Sequence, residues 1–310
     1  MTDLRTRWLA NDVGVVDLEF QGHPALIASY VLRTSDGVAL IETGPGSTLP
    51  ALKRGLVALD VDIYDIRHIL LTHIHLDHAG ASGGLMAELP RATLYVHERG
   101  ARHMVNPERL VASARQIYGA LMDPLWGEFL PTPEDRTVSL ADGDGVEMGD
   151  TTLDVHYTPG HASHHVAFHE PARNIVFAGD VAGVRVPPSP LVWPPTPPPD
   201  VDIEAWKAST RRLRELDPEQ ILIAHFGAYA DIWGHLDRLD ARLDQWVAWI
   251  EAWRAREMNR AEMIAALEAA VLDEIENESD AASTVYATQY VTPSYMNVDG
   301  LMRYIDKRDG

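Results

Sequence analysis

The 310-residue sequence predicts an α+β fold with a helical C-terminal extension, and three observations carry that expectation. Short apolar runs bounded by Gly, Pro, Asp and Ser recur through residues 13–225, as strands do. Between them lie stretches whose apolar residues fall three and four apart, as on one face of a helix. After Gly234 the strand signals stop, and Leu236, Leu239, Leu243, Trp246, Ile250 and Trp253 keep helical spacing alone. The expected division is a main unit over residues 1–235 and a helical extension over 236–310 packed on its core.

In chain order, strands are expected over 13–18, 25–32 and 38–42, with Ser35, Asp36 and Gly37 turning the last two into a hairpin. Thr43, Gly44, Pro45 and Gly46 make a tight loop, and Leu49, Leu52, Leu56 and Leu59 give a helix over 47–59. A strand ends in Ile69, Leu70 and Leu71, a helix covers 81–89, and another strand covers 92–97. Residues 98–137 form a helical insertion marked by Met104, Leu110, Ile117, Tyr118, Leu121, Met122, Leu125 and Trp126. Such stripes commonly face a core; here Tyr118, Met122 and Trp126 are also candidates to line a pocket, since insertions beside a strand end often shape one.

Asp142 to Gly145 is turn chemistry, followed by strands over 152–157, 174–177 and 221–224. The proline-rich run 187–200 reads either as a stiff connector or as a rigid rim. Beyond the long helix, a second helix is expected over 261–277, then a tail with Tyr286, Tyr290, Tyr295 and Tyr304 that ends in a short helix from 298.

Composition narrows the classes. A net charge of -20 disfavours nucleic acid and acidic membrane surfaces as partners, and leaves a small molecule as the expected ligand. The absence of cysteine removes disulfides and thiolate ligands, so any metal must sit on nitrogen and oxygen. Met1 to Arg5 opens no apolar leader, and no uninterrupted apolar run is long enough for a bilayer; a cytoplasmic protein is the expectation. The amphipathic C-terminal helices could also pair two copies as a homodimer.

One stretch concentrates chemistry. His73, His75, Asp77 and His78 fall within six residues directly after the apolar run 69–71. Imidazole and carboxylate are ligands for zinc and similar ions, and alternate residues at a strand end can point the same way. Further polar residues follow apolar strands downstream: His161 after 152–157, Asp180 after 174–177, His225 after 221–224. A charge at the end of a buried strand needs a partner.

His-x-His-x-Asp-His after an apolar strand, followed in order by His161, Asp180 and His225, resembles the metallo-β-lactamase superfamily, with a glyoxalase II-like ligand set. The resemblance covers residues 13–233 and implies an αββα sandwich with the metals at one edge. It implies that His73, His75 and His161 hold one ion, that Asp77, His78 and His225 hold a second, and that Asp180 bridges them. The implied cofactors are two divalent ions, zinc first, with iron or manganese as alternatives. The implied activity is hydrolysis of an ester, thioester or lactone by a hydroxide shared between the ions, with Asp77 orienting it. The family's strand-end Asp is replaced by Glu42, which keeps the charge and lengthens the arm. His164 and His165 are expected behind the ligands or facing substrate, and His97 is expected to be structural or pocket-lining. Val181 to Val184 lacks the Tyr usual in quorum-quenching lactonases. The basic residues that hold glutathione in glyoxalase II are not identifiable in the sequence. A phosphodiesterase, an iron persulfide dioxygenase with two His and one Asp, and an inactive binding protein are the other classes that share this pattern.

Overall fold

The computed structural model describes residues 6–276 and 281–310. The readings at Met1 to Arg5 and at Asn277 therefore lie outside the described residues.

Two sheets face each other. The first runs β1 (Arg7–Trp8), β2 (Val13–Asp17), β3 (Ala28–Thr34), β4 (Gly37–Ile41), β5 (Ile66–Leu70), β6 (Thr93–His97) and β7 (Thr137–Leu140), side by side in chain order. The second holds β8 (Gly145–Met148), β9 (Thr151–Tyr157), β10 (Val166–Glu170), β11 (Ile175–Phe177), β12 (Gln220–Ile223) and β13 (Gly227–Tyr229), again in sequence order. Hairpins make the antiparallel pairs, while β4, β5, β6 and β7 are parallel, as are β11 and β12. Parallel neighbours bring several strand ends to one edge, where ligands gather in sheets of this kind.

The sheets are tied through Tyr30, whose ring meets Phe177 at 5.7 Å and whose hydroxyl donates to the carbonyls of Ile223 and Gly227 at 2.6 and 2.9 Å. Buried Val15, Leu32, Leu40, Phe168 and Phe177 share this inner layer. Outside the first sheet lie α1 (Leu49–Ala58), α2 (Leu76–Ala79), α3 (Ser82–Glu88), α4 (Glu98–Val105), α5 (Glu108–Tyr118) and α6 (Met122–Trp126). Outside the second lie α7 (Ile203–Glu215), α8 (Ile232–Ala255), α9 (Arg260–Glu276) and α11 (Ser294–Asp309), while α10 (Ala281–Tyr290) brings Tyr286, Ala287 and Tyr290 against the first core near Phe20 and His23. A second core forms there, where Ile221 and Ile223 of β12 meet Trp206, Leu239, Trp246, Leu267 and Leu301. The order helix, sheet, sheet, helix is the expected αββα sandwich with C-terminal helices.

Several details differ from expectation. The last helix begins at Ser294, because Pro293 starts it cleanly and Asn297, Leu301 and Tyr304 keep one buried face. The segment after α9 is helical over Ala281–Tyr290. β1, β7, β8, β10 and β13 carry two to five residues each, too few for a period to register in the sequence. No helix among the described residues is long and apolar enough to cross a membrane.

Candidate metal centre

Strand ends build the centre. β5 stops at Leu70, and the chain passes Thr72, His73 and His75 into α2, whose single turn carries Asp77 and His78. β9 leads to His161, β11 to Asp180, β12 to His225, and β4 to Glu42. The exit from β11 needs its glycine. Gly179 has φ 52°, and a side chain there would meet Thr72 Oγ1 at 2.5 Å and His165 Nε2 at 2.7 Å.

Three ring nitrogens close on one point. His73 Nε2, His75 Nδ1 and His161 Nε2 are 2.9 to 3.2 Å apart. Ligands about 2.0–2.1 Å from a tetrahedral zinc would be spaced by roughly this much. A second set faces it: Asp77 Oδ2 lies 3.6 Å from His78 Nε2 and 3.4 Å from His225 Nε2. Asp180 stands between the sets. Its Oδ2 is 3.4 Å from His161 and 4.0 Å from His73, while its Oδ1 is 3.3 Å from His78 and 3.4 Å from His225.

In His73, His161 and His225 the far nitrogen fixes the tautomer. His161 Nδ1 donates to the carbonyl of Pro195 and His225 Nδ1 to that of Leu26, both at 2.7 Å. His73 Nδ1 lies 3.0 Å from Thr72 Oγ1, which in turn donates to Glu42. His78 turns Nδ1 to Glu42 at 3.4 Å. The Nε2 lone pairs of His73, His78, His161 and His225 thereby face inwards, beside Nδ1 of His75, an arrangement like that around metal-bound histidines.

Burial lowers the pKa of every histidine in both sets, and nearby carboxylates reverse the net direction in the second. Burial pushes His73 well below its ordinary pKa, His75 to about 3, and His161 down as well. At His78 and His225 burial is outweighed by Asp180 and Asp77, with Glu42 adding at His78, and both are pushed up. Burial also opposes ionisation of Asp77, yet His78 and His225 draw it down to about 2. Asp180 is held well below the usual carboxylate range by His78, His225 and His161 against its burial. Among the described residues, Asp77, Asp180 and Glu42 have only histidines as ion-pair partners. His78 Nε2, His225 Nε2 and Asp180 Oδ1 are buried without a hydrogen-bond partner. Two buried carboxylates, a partly exposed third, converging lone pairs and orphaned polar atoms fit cations with nitrogen and oxygen ligands.

Glu42, His73 and His78 form a further convergent group, but all three are buried and Glu42 lies on the Nδ1 side of His78, whereas Asp77 and Asp180 face its Nε2. Glu42 itself has φ 63°, a region that costs a non-glycine residue on the order of 1–3 kcal/mol and is held only by its surroundings. Its carboxylate, reaching Thr72 and His78, supplies that hold.

A family model described as the metallo-beta-lactamase superfamily matches residues 24–225. The chain belongs to the metallo-β-lactamase superfamily. ST1585 of Sulfurisphaera tokodaii, a metallo-beta-lactamase fold-containing protein, is 25% identical over 66% of this chain and 74% of its own. The crystal structure of ST1585 from Sulfolobus tokodaii matches with a TM-score of 0.66 at 20% identity, over 94% of this chain and 99% of that one. Hydroxyacylglutathione hydrolase of Aeromonas salmonicida is 30% identical over 51% of this chain and 48% of its own. Acyl-coenzyme A thioesterase MBLAC2 of Bos taurus is 29% identical over 49% of this chain and 57% of its own. The matches thus span about half the length of those two relatives.

In this superfamily member a cavity of about 730 Å³ opens over the centre, and His75, Asp77, His161 and Asp180 reach its surface. Tyr118 and Trp126 line it; Met122, expected with them, does not, because it turns into the core and is only 1% exposed. His164 lines it too, its pKa pushed to about 3 by burial and then by His75. His165 lies behind. Its Nδ1 bonds to Thr158 Oγ1 at 2.8 Å and its Nε2 accepts the backbone N–H of Asp180 at 3.1 Å. His97 is structural: it stacks on Tyr157 at 4.7 Å and accepts from the Arg99 N–H at the start of α4. Pro195, Pro197, Pro198 and Pro199 line the cavity, so the proline run forms a rim.

Sequence reasoning missed four groups. Pro195 acts through its carbonyl, which has no signature. Thr72 was visible only as a neighbour of His73. Tyr290, Tyr295 and Met296 come from the tail to complete the wall, so the extension shapes the cavity as well as packing on the core. Arg99, Arg102 and Arg109 also line it, and they are basic groups of the kind the sequence left unlocated.

Proposed function

We propose that this chain is a metal-dependent hydrolase of thioesters or esters. In this reading His73, His75 and His161 hold one divalent ion, Asp77, His78 and His225 hold a second, and Asp180 serves both. The observation that carries it is the division of Asp180, one oxygen towards each ligand set. The nitrogen-rich donors favour zinc. When bound, such ions supply a Lewis acid for the substrate carbonyl and lower the pKa of coordinated water to about 7.

The chain's own residues do the rest. Asp77 is 19% exposed at the cavity floor, so it is the carboxylate that can meet water and substrate. Held ionised by His78 and His225, it is an acceptor that orients the attacking water. Leu125, Trp126 and Tyr290 give the space apolar walls that suit an acyl chain and limit water. Support for a thioester comes from the names of the two hydrolase relatives, a hydroxyacylglutathione hydrolase and an acyl-coenzyme A thioesterase. A cytoplasmic location accords with a chain free of cysteine.

The test is turnover of a panel with and without chelator: S-lactoylglutathione, an acyl thioester, a homoserine lactone, an aryl ester and bis(p-nitrophenyl) phosphate. Hydrolysis of a thioester or ester that chelation abolishes and zinc restores is expected. Turnover indifferent to chelator, or confined to the phosphodiester, would overturn the proposal.

A further inference from the structure

The cavity wall facing the centre carries charges that hydrolysis itself does not use. α4 buries Gly100, Ala101 and Met104. Arg99, Arg102 and His103 fall on the opposite side of that helix and line the cavity, and Arg109 of α5 joins them. His103 accepts a hydrogen bond from Arg102 Nε at 3.2 Å. Its pKa is lowered first by partial burial and then by Arg102 and Arg109, so both guanidinium groups lie near it.

These arginines have no carboxylate in ion-pair contact among the described residues. Arg115, Arg173, Arg212 and Arg214 are paired; some other arginines among the described residues are not, but Arg99, Arg102 and Arg109 stand together on the cavity lining. With 46 acidic residues against 26 basic ones, free carboxylates are plentiful, yet none neutralises this cluster. The acidic groups on the same lining are Glu98, Asp200 and the two ligands Asp77 and Asp180. Asp200 is engaged by the Ser163 hydroxyl at 2.5 Å.

We propose that Arg99, Arg102 and Arg109 form an anion subsite for the phosphates of a leaving group, making this enzyme selective for acyl esters or thioesters of a phosphorylated small-molecule carrier. The inference rests on the hydrolase reading for its chemistry. Guanidinium groups bind phosphate through paired N–H donors, and three of them match more charge than a single carboxylate carries. The apolar acyl part then has the wall of Leu125, Trp126 and Tyr290, and the scissile group spans the floor at Asp77. In the reaction, the oxygen of water bonds to the acyl carbon, the C–S or C–O bond breaks, and the leaving sulfur or oxygen takes up a proton from that water. No electrons are exchanged with a redox partner.

The experiment compares butyryl-coenzyme A with S-butyryl-N-acetylcysteamine, which keeps the thioester and lacks the phosphates. Metal-loaded wild type, Arg102→Ala/Arg109→Ala, the corresponding double Lys variant and Arg115→Ala are assayed for kcat and KM. Wild type should prefer the phosphorylated substrate. The double Ala variant should lower that preference by about tenfold or more, through KM, as expected for lost charge-assisted contacts. Added salt should erode the preference, the Lys variant should restore part of it, and Arg115→Ala should retain it. An unaltered preference in the double Ala variant overturns the subsite. Calorimetric binding of ADP separates the two proposals: ADP held equally by wild type and the double Ala variant also overturns the subsite. ADP binding that needs the arginines, in a protein that hydrolyses neither thioester, would retain the subsite and overturn thioester hydrolysis.

Discussion

The sheet edge and the helical wall meet across one cavity, but they are built on different terms. The edge gathers imidazoles and carboxylates from the exits of β4, β5, β9, β11 and β12, with His73, His161 and His225 each fixed by a hydrogen bond from behind. The wall is drawn from α4, α5 and α6, the proline run and the tail, with aromatic packing below and solvent-facing arginines above. Reaction geometry has to be held within fractions of an ångström, which a sheet with tied ligands provides. Recognition tolerates variation and sits on inserted segments. Breaking the edge should therefore cost turnover at little cost in stability, and breaking the wall should raise KM and, where its aromatics pack, lower stability.

The largest effect is expected from Asp180→Asn. The amide keeps the volume but loses the charge and one acceptor between the two ligand sets. Turnover should fall by at least about 10²–10³-fold, the scale of losing one well-placed electrostatic contact. Metal content per chain should drop, while the far-UV circular dichroism stays as in wild type. Full turnover in this variant would remove the basis for placing the chemistry at the edge.

Trp126→Ala tests the wall. Trp126 is 6% exposed, stacked on Phe20 at 5.3 Å and edge-on to Tyr118 at 5.1 Å. Removing it should cost about 3–5 kcal/mol in denaturant unfolding, as for other buried aromatics. In the fraction that stays folded, KM should rise more than kcat falls. A stability loss below about 1 kcal/mol would show that the wall is not packed as described.

The same contrast explains what was legible in the sequence. Each proposed ligand follows an apolar strand, and a buried polar residue at a strand end is conspicuous. His165 and Glu42 are placed near the proposed ligands by the family resemblance, although the left-handed backbone of Glu42 could not be foreseen. The wall was obscure. Arg99, Arg102 and His103 look like the solvated face of any amphipathic helix until the fold turns them over a cavity. Tyr118 meets Met296 across 178 residues, a contact no local pattern announces. Met122 carried the same helical signal as Tyr118 and Trp126, yet its rotation about the short α6 sends it into the core.

The smallest effect belongs to the contact of α8 with the edge. His235 of α8 is fully buried, and its Nε2 donates to the carbonyl of Ala182, two residues past Asp180, at 2.7 Å. Its Nδ1 is buried with no partner among the described residues. Burial, aided by Arg185 and Arg238 against the Ala182 bond, pushes the ring to about 4. An unfolded histidine titrates near 6.5, so on acidification the unfolded chain takes up this proton first. The contribution of neutral His235 is therefore complete above about pH 6.5 and is lost progressively towards pH 4, on the order of 3 kcal/mol in all. Replacing it by Gln, which does not titrate, should leave a Tm against pH curve parallel to wild type above pH 6.5 and visibly shallower below it. Other buried histidines titrate equally in both proteins and cancel in the difference. Equal slopes between pH 6.5 and pH 4 would mean that the joint is not held by a neutral imidazole. A shallower slope would show that neutral His235 on α8 helps to hold the loop that follows Asp180.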